Sequence, residues 1–282
     1  MGKFVSFLAG MAMFLTTIGF AHAGTAEDIR HESDAALEEA FKAFNKAKFD
    51  RLMEAIGPAS LAESGITIVY AERIGYLWAV VIEYGTGQRE VFYTTPDYEY
   101  VLSGNLYNKN REFTRYLLVQ HARTVSLKEI PDTAEFVMGN VDAPQEKTIH
   151  VFDDPVCPFC ARLHYELGLF LEEHNDWKVA VHLYPLPGHG DAEEKAKVIH
   201  CSGKDPYVKR VILEVFFADL LQGKESRYPK EVQCDMTGIE ENVKFMREKA
   251  KATGTPVMIL PDGRVINGFM TTGQLEELLL DR

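Results

Sequence analysis

Two cysteines with two residues between them, Cys157-Pro158-Phe159-Cys160, stand where one residue pattern gives way to another. An apolar, strand-like run precedes them, Thr148-Ile149-His150-Val151-Phe152, and a helix-like run follows, Ala161 to Leu167. This placement suits thiol–disulfide redox chemistry. Cys157 falls at the helix N-terminus, where unpaired backbone N–H groups favour an anion, so its thiolate is stabilised. Cys160 lies about one turn further on the same face, within reach of a mixed disulfide held on Cys157. Two other chemistries fit less well. A zinc site needs a second ligand pair, and no other Cys-x-x-Cys exists. A purely structural bridge across so short a loop on a helix start is strained and exposed.

The start of the chain bears on the compartment. Lys3, the apolar run Phe4–Phe20 and then Ala21-His22-Ala23 read as a secretory signal peptide cleaved after Ala23. The alternative, a membrane anchor, is weakened by Ser6, Gly10, Thr16, Thr17 and Gly19 within a short run. Losing Lys3 with the leader takes the net charge from −12 to −13. So acidic a chain argues against a nucleic-acid partner. All four cysteines, 157, 160, 201 and 234, fall in the exported part, and an even count in an oxidising compartment supports pairing.

Along the chain, Leu37, Phe41, Phe44, Leu52, Met53 and Ile56 recur at helical spacing, and Gly57-Pro58 stops the run. The pattern then turns to strands at Ile66–Tyr70, Leu77–Tyr84 and Glu90–Thr94, with a further short one in Tyr98–Leu102. Such an antiparallel piece needs its edges covered; a dimer interface does this, and a self-contained sheet is the alternative. Glu112–Leu127 reads as a connecting helix, and the Pro-punctuated segment Pro131–Gln145 as the approach to a second domain. From Ile149 strand and helix alternate, the mark of a βαβ unit. Strands are expected at Val179–Tyr184, Val257–Leu260 and Arg264–Ile266. Helices are expected at Ala192–Cys201, Tyr207–Leu221, Ile239–Ala252 and Gln274–Leu280. The expected boundaries are a leader over 1–23, an N-terminal domain over 24–110, a helical linker over 111–142 and the redox domain over 143–282.

Gly254-Thr255-Pro256 stands directly before a strand, where a proline's missing N–H costs nothing. With Ala143-Pro144-Gln145-Glu146-Lys147, Cys157–Cys160 followed by Arg162-Leu163-His164, and Asp262-Gly263 to Gly268-Phe269, it completes a set of motifs. In these the chain resembles the dimeric periplasmic disulfide isomerases of the DsbC/DsbG type. Ser103-Gly104-Asn105-Leu106-Tyr107 resembles the end of that family's small N-terminal sheet, and residues 26–45 look like an extension to it. The resemblance implies an α+β N-terminal dimerisation domain, a small antiparallel sheet plus helix, joined by a helical linker to an α/β thioredoxin-like domain. It implies a cis proline at Pro256 beside the redox pair, with Thr255 and Pro256 meeting a bound polypeptide. It also implies a structural disulfide between Cys201 and Cys234, for which two buried free thiols are the alternative. Catalysis would fall to Cys157 and Cys160, with no cofactor and no metal. The partners implied are misfolded, disulfide-containing polypeptides, a second copy of the chain and a membrane thiol reductase of the DsbD type.

Some residues depart from the family pattern. The dipeptide between the thiols is Pro-Phe, where isomerases usually carry Gly-Tyr, which leaves a dithiol oxidase open; a holdase chaperone using the dimer cleft is a further alternative. Thr255 is the isomerase-type residue. Phe159, at the helix mouth, reads as a substrate contact. Val151 occupies the place six residues before Cys157 where thioredoxins keep a buried acid, so a proton from Cys160 must go elsewhere or to water. Asp153 and Asp154 would raise a neighbouring thiol's pKa, against the helix-end effect. His164 reads as a packing or surface residue rather than a catalytic one. His182, His189 and His200 have no metal-ligand spacing and read as surface histidines.

Overall fold

A four-stranded antiparallel sheet and a five-stranded mixed sheet organise the chain, and a short helix with an extended segment connects them. The computed structural model describes residues 43–56, 65–109 and 111–280. The expected leader, its cleavage site and most of the N-terminal extension lie outside the described residues. Among the described residues no helix is long and apolar enough to cross a membrane.

The first unit opens with helix α1, Lys46–Ile56, which ends directly before Gly57-Pro58. Strands β1, Ile66–Ile74, β2, Leu77–Tyr84, β3, Arg89–Thr94, and β4, Val101–Ser103, follow in a meander whose spatial order is the chain order. β4 begins later than the sequence pattern suggests. Residues 95–98 form a turn closed by Tyr98 N–H to Thr95 C=O, and the Thr94 hydroxyl holds Tyr100 C=O at 2.8 Å. Helix α2, Phe113–Gln120, lays Leu117 on Ala79, Val81, Val91 and Tyr93 of this sheet. The Tyr93 and Thr114 hydroxyls meet at 2.5 Å beneath it.

Of the expected linker over 111–142, only α2 is α-helical, with one 3₁₀ turn at Leu127–Glu129 beyond it. The linker's far end supplies β5, Phe136–Gly139, so the second sheet begins ahead of residue 143. Phe136 and Met138 point into the core, while Gly139 ends the strand with φ +79, in a place where a Cβ would collide with the Trp177 carbonyl. β6, Thr148–Asp153, pairs in parallel with β7, Lys178–Leu183, and antiparallel with β8, Val257–Ile259. β9, Val265–Asn267, completes the order β5-β7-β6-β8-β9. Helices cover both faces of β6, which explains its near-continuous apolar run. On one face lie α3, Pro158–Glu173, α5, Pro206–Leu221, and α7, Thr272–Leu279, with α4, Ala192–His200, packed against α5. On the other, Phe152, Val257 and Ile259 pack under Phe245 and Met246 of α6, Thr237–Phe245, and its π-helical continuation Met246–Ala250.

The connecting segment is fastened to this domain. Val265 N–H donates to Arg123 C=O at 2.7 Å and Val125 N–H to Gly263 C=O at 2.9 Å, which pins residues 123–125 along β9 and its turn. Gly263, at φ +84, lies so close to the Val125 carbonyl that a side chain there would collide with it.

His182 corrects the sequence reading: it is buried, stacked on Phe152 at 4.5 Å between ring centres. Its Nε2 meets His150 Nδ1 at 3.1 Å and its Nδ1 meets Thr133 Oγ1 at 3.2 Å. Burial pushes both imidazoles down, His150 to about 4 and His182 to about 3. A depressed imidazole pKa means the unfolded chain takes up protons first on acidification. Their contribution to stability is therefore complete above about pH 6.5 and is lost as pH falls toward 4. Urea midpoints measured from pH 7 to 4.5 are expected to fall, and to fall less in His182→Gln. Equal slopes would contradict a buried neutral pair.

Candidate active site

The site is assembled where β6 hands the chain to α3. Cys157 caps the helix with extended backbone, φ −86 and ψ 116, and Pro158 takes the first helical position, where a missing N–H is no loss. Cys160 N–H points at Cys157 Sγ from 3.4 Å. Both cysteines are free thiols; Cys157 is 4% exposed and Cys160 is 0% exposed, whereas Phe159 between them is 52% exposed. Across from them the Thr255–Pro256 peptide is cis, and Thr255 C=O lies 3.4 Å from Cys157 Sγ. The four positions 157, 160, 255 and 256, far apart in sequence, thus meet at one helix end, as the motifs predict.

The two thiols differ in acidity. Cys157 is pulled down to about 6. The largest cause is a hydrogen bond from Cys160, helped by Thr255 and the backbone N–H groups of Phe159 and Cys160, which together outweigh burial. The Thr255 hydroxyl is buried with no partner beside the protonated thiol, so it is free to donate to the thiolate. Cys160 is pushed up, first by burial, then by its bond to Cys157 and by the charge of Asp153. One sulfur ionises near neutral pH and the other holds its proton.

The two aspartates before the motif have separate tasks. Asp154 is a loop brace: its carboxylate accepts from Val156 N–H at 2.8 Å, Leu186 N–H at 2.9 Å and His189 at 2.9 Å. Asp153, fully buried, meets His164 Nε2 at 2.5 Å, and its other oxygen has no partner. A buried acid therefore does stand beside Cys160, supplied from position 153 rather than 151. His164, one turn beyond Cys160 on α3, is a buried packing residue, set edge-on to Phe217 and Phe136 and hydrogen-bonded to that acid. Sequence spacing missed this pair because its geometry joins the end of a strand to the second turn of a helix.

Cys201 and Cys234 form the disulfide the resemblance implies, with Cα atoms 5.6 Å apart. His200, half-buried rather than on the surface, joins Glu135 at 2.6 Å and Asp235 C=O at 2.9 Å beside it. Glu173, His174 and Glu276 place ligand-type atoms within 4.8 Å of one another. The His174–Glu276 hydrogen bond of 2.9 Å accounts for that grouping, at the opposite end of α3 from the thiols.

An acidic thiol at a helix start, a buried thiol one turn behind it and a cis proline facing both define a thioredoxin-like domain. Comparison with known proteins agrees: the thioredoxin-like domain family matches residues 137–282. A probable thiol:disulfide interchange protein DsbC from Bordetella avium is 30% identical over 192 residues, 67% of this chain and 62% of that protein. The DsbC of Salmonella typhimurium is 25% identical over 230 residues, covering 78% of this chain and 84% of that protein. The crystal structure of a disulfide interchange protein from Neisseria gonorrhoeae is 26% identical, with a TM-score of 0.39, over 53% of this chain and 95% of that one. The chain belongs to the thioredoxin-like family, and the curated proteins it is similar to are DsbC-type thiol:disulfide interchange proteins.

Proposed function

We propose that the protein is an exported thiol–disulfide isomerase with reductase activity, acting on wrongly paired disulfides in folding polypeptides. The observation that carries this is the unequal thiol pair, an ionising Cys157 before a buried, proton-holding Cys160. Cys157 thiolate attacks one sulfur of a substrate disulfide, the substrate S–S bond breaks, and the released sulfur leaves as a thiolate that takes a proton. A second substrate thiol then attacks the mixed disulfide and frees Cys157, leaving the polypeptide with a new pairing. Alternatively Cys160 attacks, closing Cys157–Cys160 and releasing reduced substrate. Phe159, exposed at the mouth, and the Thr255–Pro256 backbone hold the polypeptide.

Isomerisation needs the pair kept reduced, so a membrane thiol reductase of the DsbD type belongs to this reading. So does a homodimer formed through the first sheet, whose edge strands β1 and β4 carry no strand on their outer sides among the described residues. Export to the periplasm is supported by the leader-like residues 1–23 and by the DsbC-type relatives.

A second reading is a dithiol oxidase. It is favoured by the low pKa of Cys157, because a stabilised thiolate stabilises the reduced form and makes the disulfide more oxidising. Alkylation of cells after a rapid acid quench separates the two. The isomerase predicts Cys157 and Cys160 largely reduced while Cys201–Cys234 is oxidised; a largely oxidised active pair would replace it with the oxidase.

A further inference from the structure

Beside the cis-proline loop lies a cavity of about 450 Å³ that the redox chemistry does not use. Its walls come from the first sheet, α2 and the segment ending at Thr255, and it carries four cations: Arg89, Arg115, Arg123 and Lys251. In a chain of net charge −12, that concentration is local and opposite in sign to the whole. Glu83, behind the wall, already pairs with Arg89 at 2.7 Å and Arg123 at 2.5 Å. Among the described residues neither Arg115 nor Lys251 has a carboxylate partner; Glu112, on the lining, acts on Arg115 only at longer range. Arg115 donates to Phe269 C=O, yet its Nε is buried without an acceptor, and so is Nε of Arg123. A half-buried guanidinium with unused donors and no ion-paired carboxylate gains from an anion that reaches it.

The position of this cavity identifies the anion's carrier. Gly254 and Thr255 form part of its wall, and Thr255 C=O is the group 3.4 Å from Cys157 Sγ. A polypeptide bonded to Cys157 and extended along Gly254–Thr255 advances roughly 3.3 Å per residue. A side chain a few residues from its cysteine therefore reaches the cavity.

We propose that this cavity binds a carboxylate side chain of the polypeptide held on Cys157, so that cysteines with Asp or Glu a few residues away are preferred. The inference rests on the functional reading above and adds a substrate preference to it. The guanidinium of Arg115 offers a planar fork for the carboxylate and Lys251, exposed at the rim, adds a point charge.

The test uses the full reduced protein and short peptides activated as 2-thiopyridyl disulfides. Cys157 thiolate attacks the peptide sulfur, and the neutral leaving group is followed as pyridine-2-thione. Peptides differ only in carrying Glu, Gln or Lys at positions two to four residues either side of the cysteine. Glu peptides are expected to react roughly five- to tenfold faster than Gln peptides at the favoured position, the size of one net hydrogen bond. Lys peptides are expected to be slowest, and the spread to narrow with added salt. Arg115→Gln and Lys251→Gln should each bring the Glu-to-Gln ratio toward one, whereas Lys204→Gln, an exposed cation outside the cavity, should not. Lys251 is exposed, so its variant keeps the test valid if Arg115→Gln fails to fold.

Equal rates for Glu and Gln peptides at every position would overturn this inference alone. The same holds if acetate slows all peptides alike, against chloride at matched ionic strength, while no Glu preference exists: the cavity would then take free carboxylates only. No reaction with any peptide would overturn the functional reading and this inference with it.

Discussion

Cys157→Ser is expected to abolish disulfide exchange, lowering the rate by roughly a thousandfold or more, because a serine hydroxyl neither ionises near neutral pH nor forms the mixed disulfide. Cys160→Ser is expected to behave differently: the first attack survives, and the mixed disulfide on Cys157 accumulates because its intramolecular exit is gone. Trapping with a peptide disulfide, followed by non-reducing gels, checks both. The pH dependence follows from the same geometry. With Cys157 drawn down to about 6, its alkylation should reach half its plateau near that pH and fall tenfold per unit below it. A midpoint near the ordinary thiol value of about 8.5 would mean that the Cys160 and Thr255 hydrogen bonds do not form in solution.

Removing the second disulfide is expected to produce the largest loss of stability. Cys201 and Cys234 are 33 positions apart, and closing a loop of that length restricts the unfolded chain by about 3–4 kcal/mol. The double variant Cys201→Ala/Cys234→Ala should therefore melt roughly 10 °C lower, with the first attack by Cys157 preserved below the melting point. Thermal denaturation of the two proteins under the same buffer checks it. A change under about 1 kcal/mol would mean that the His200 contacts to Glu135 and Asp235 already hold the loop's ends.

Local patterns in the chain announce much of this architecture. The strand before Cys157 and the helix after it, the antiparallel meander of residues 66–103 and the Gly254-Thr255-Pro256 motif are short-range signals, and the molecule builds them close to where they are expected. The features that escaped depend on contacts between distant segments. β5 was hidden because Phe136-Val137-Met138-Gly139 is too short to show alternation, and only pairing with β7 makes it a strand. His182 reads from sequence as a surface histidine; its burial depends on α6, which brings Asn242 to the Thr133 hydroxyl that also meets the ring. Asp153 was visible as an acid near the thiols. That its charge falls on Cys160 follows from its seat against His164, one helical turn past that cysteine.

The fastening of residues 123–125 along β9 has a consequence for how the chain can be divided. The thioredoxin-like match begins at residue 137, and a fragment cut there would contain all but the first residue of β5. It would lack the carbonyl of Arg123 and the N–H of Val125 that now meet Val265 and Gly263. The outer border of β9 would then present bare main-chain groups to other molecules, inviting intermolecular strand addition. The smallest self-sufficient piece of the redox half therefore starts before Arg123, inside what sequence alone assigns to a connector.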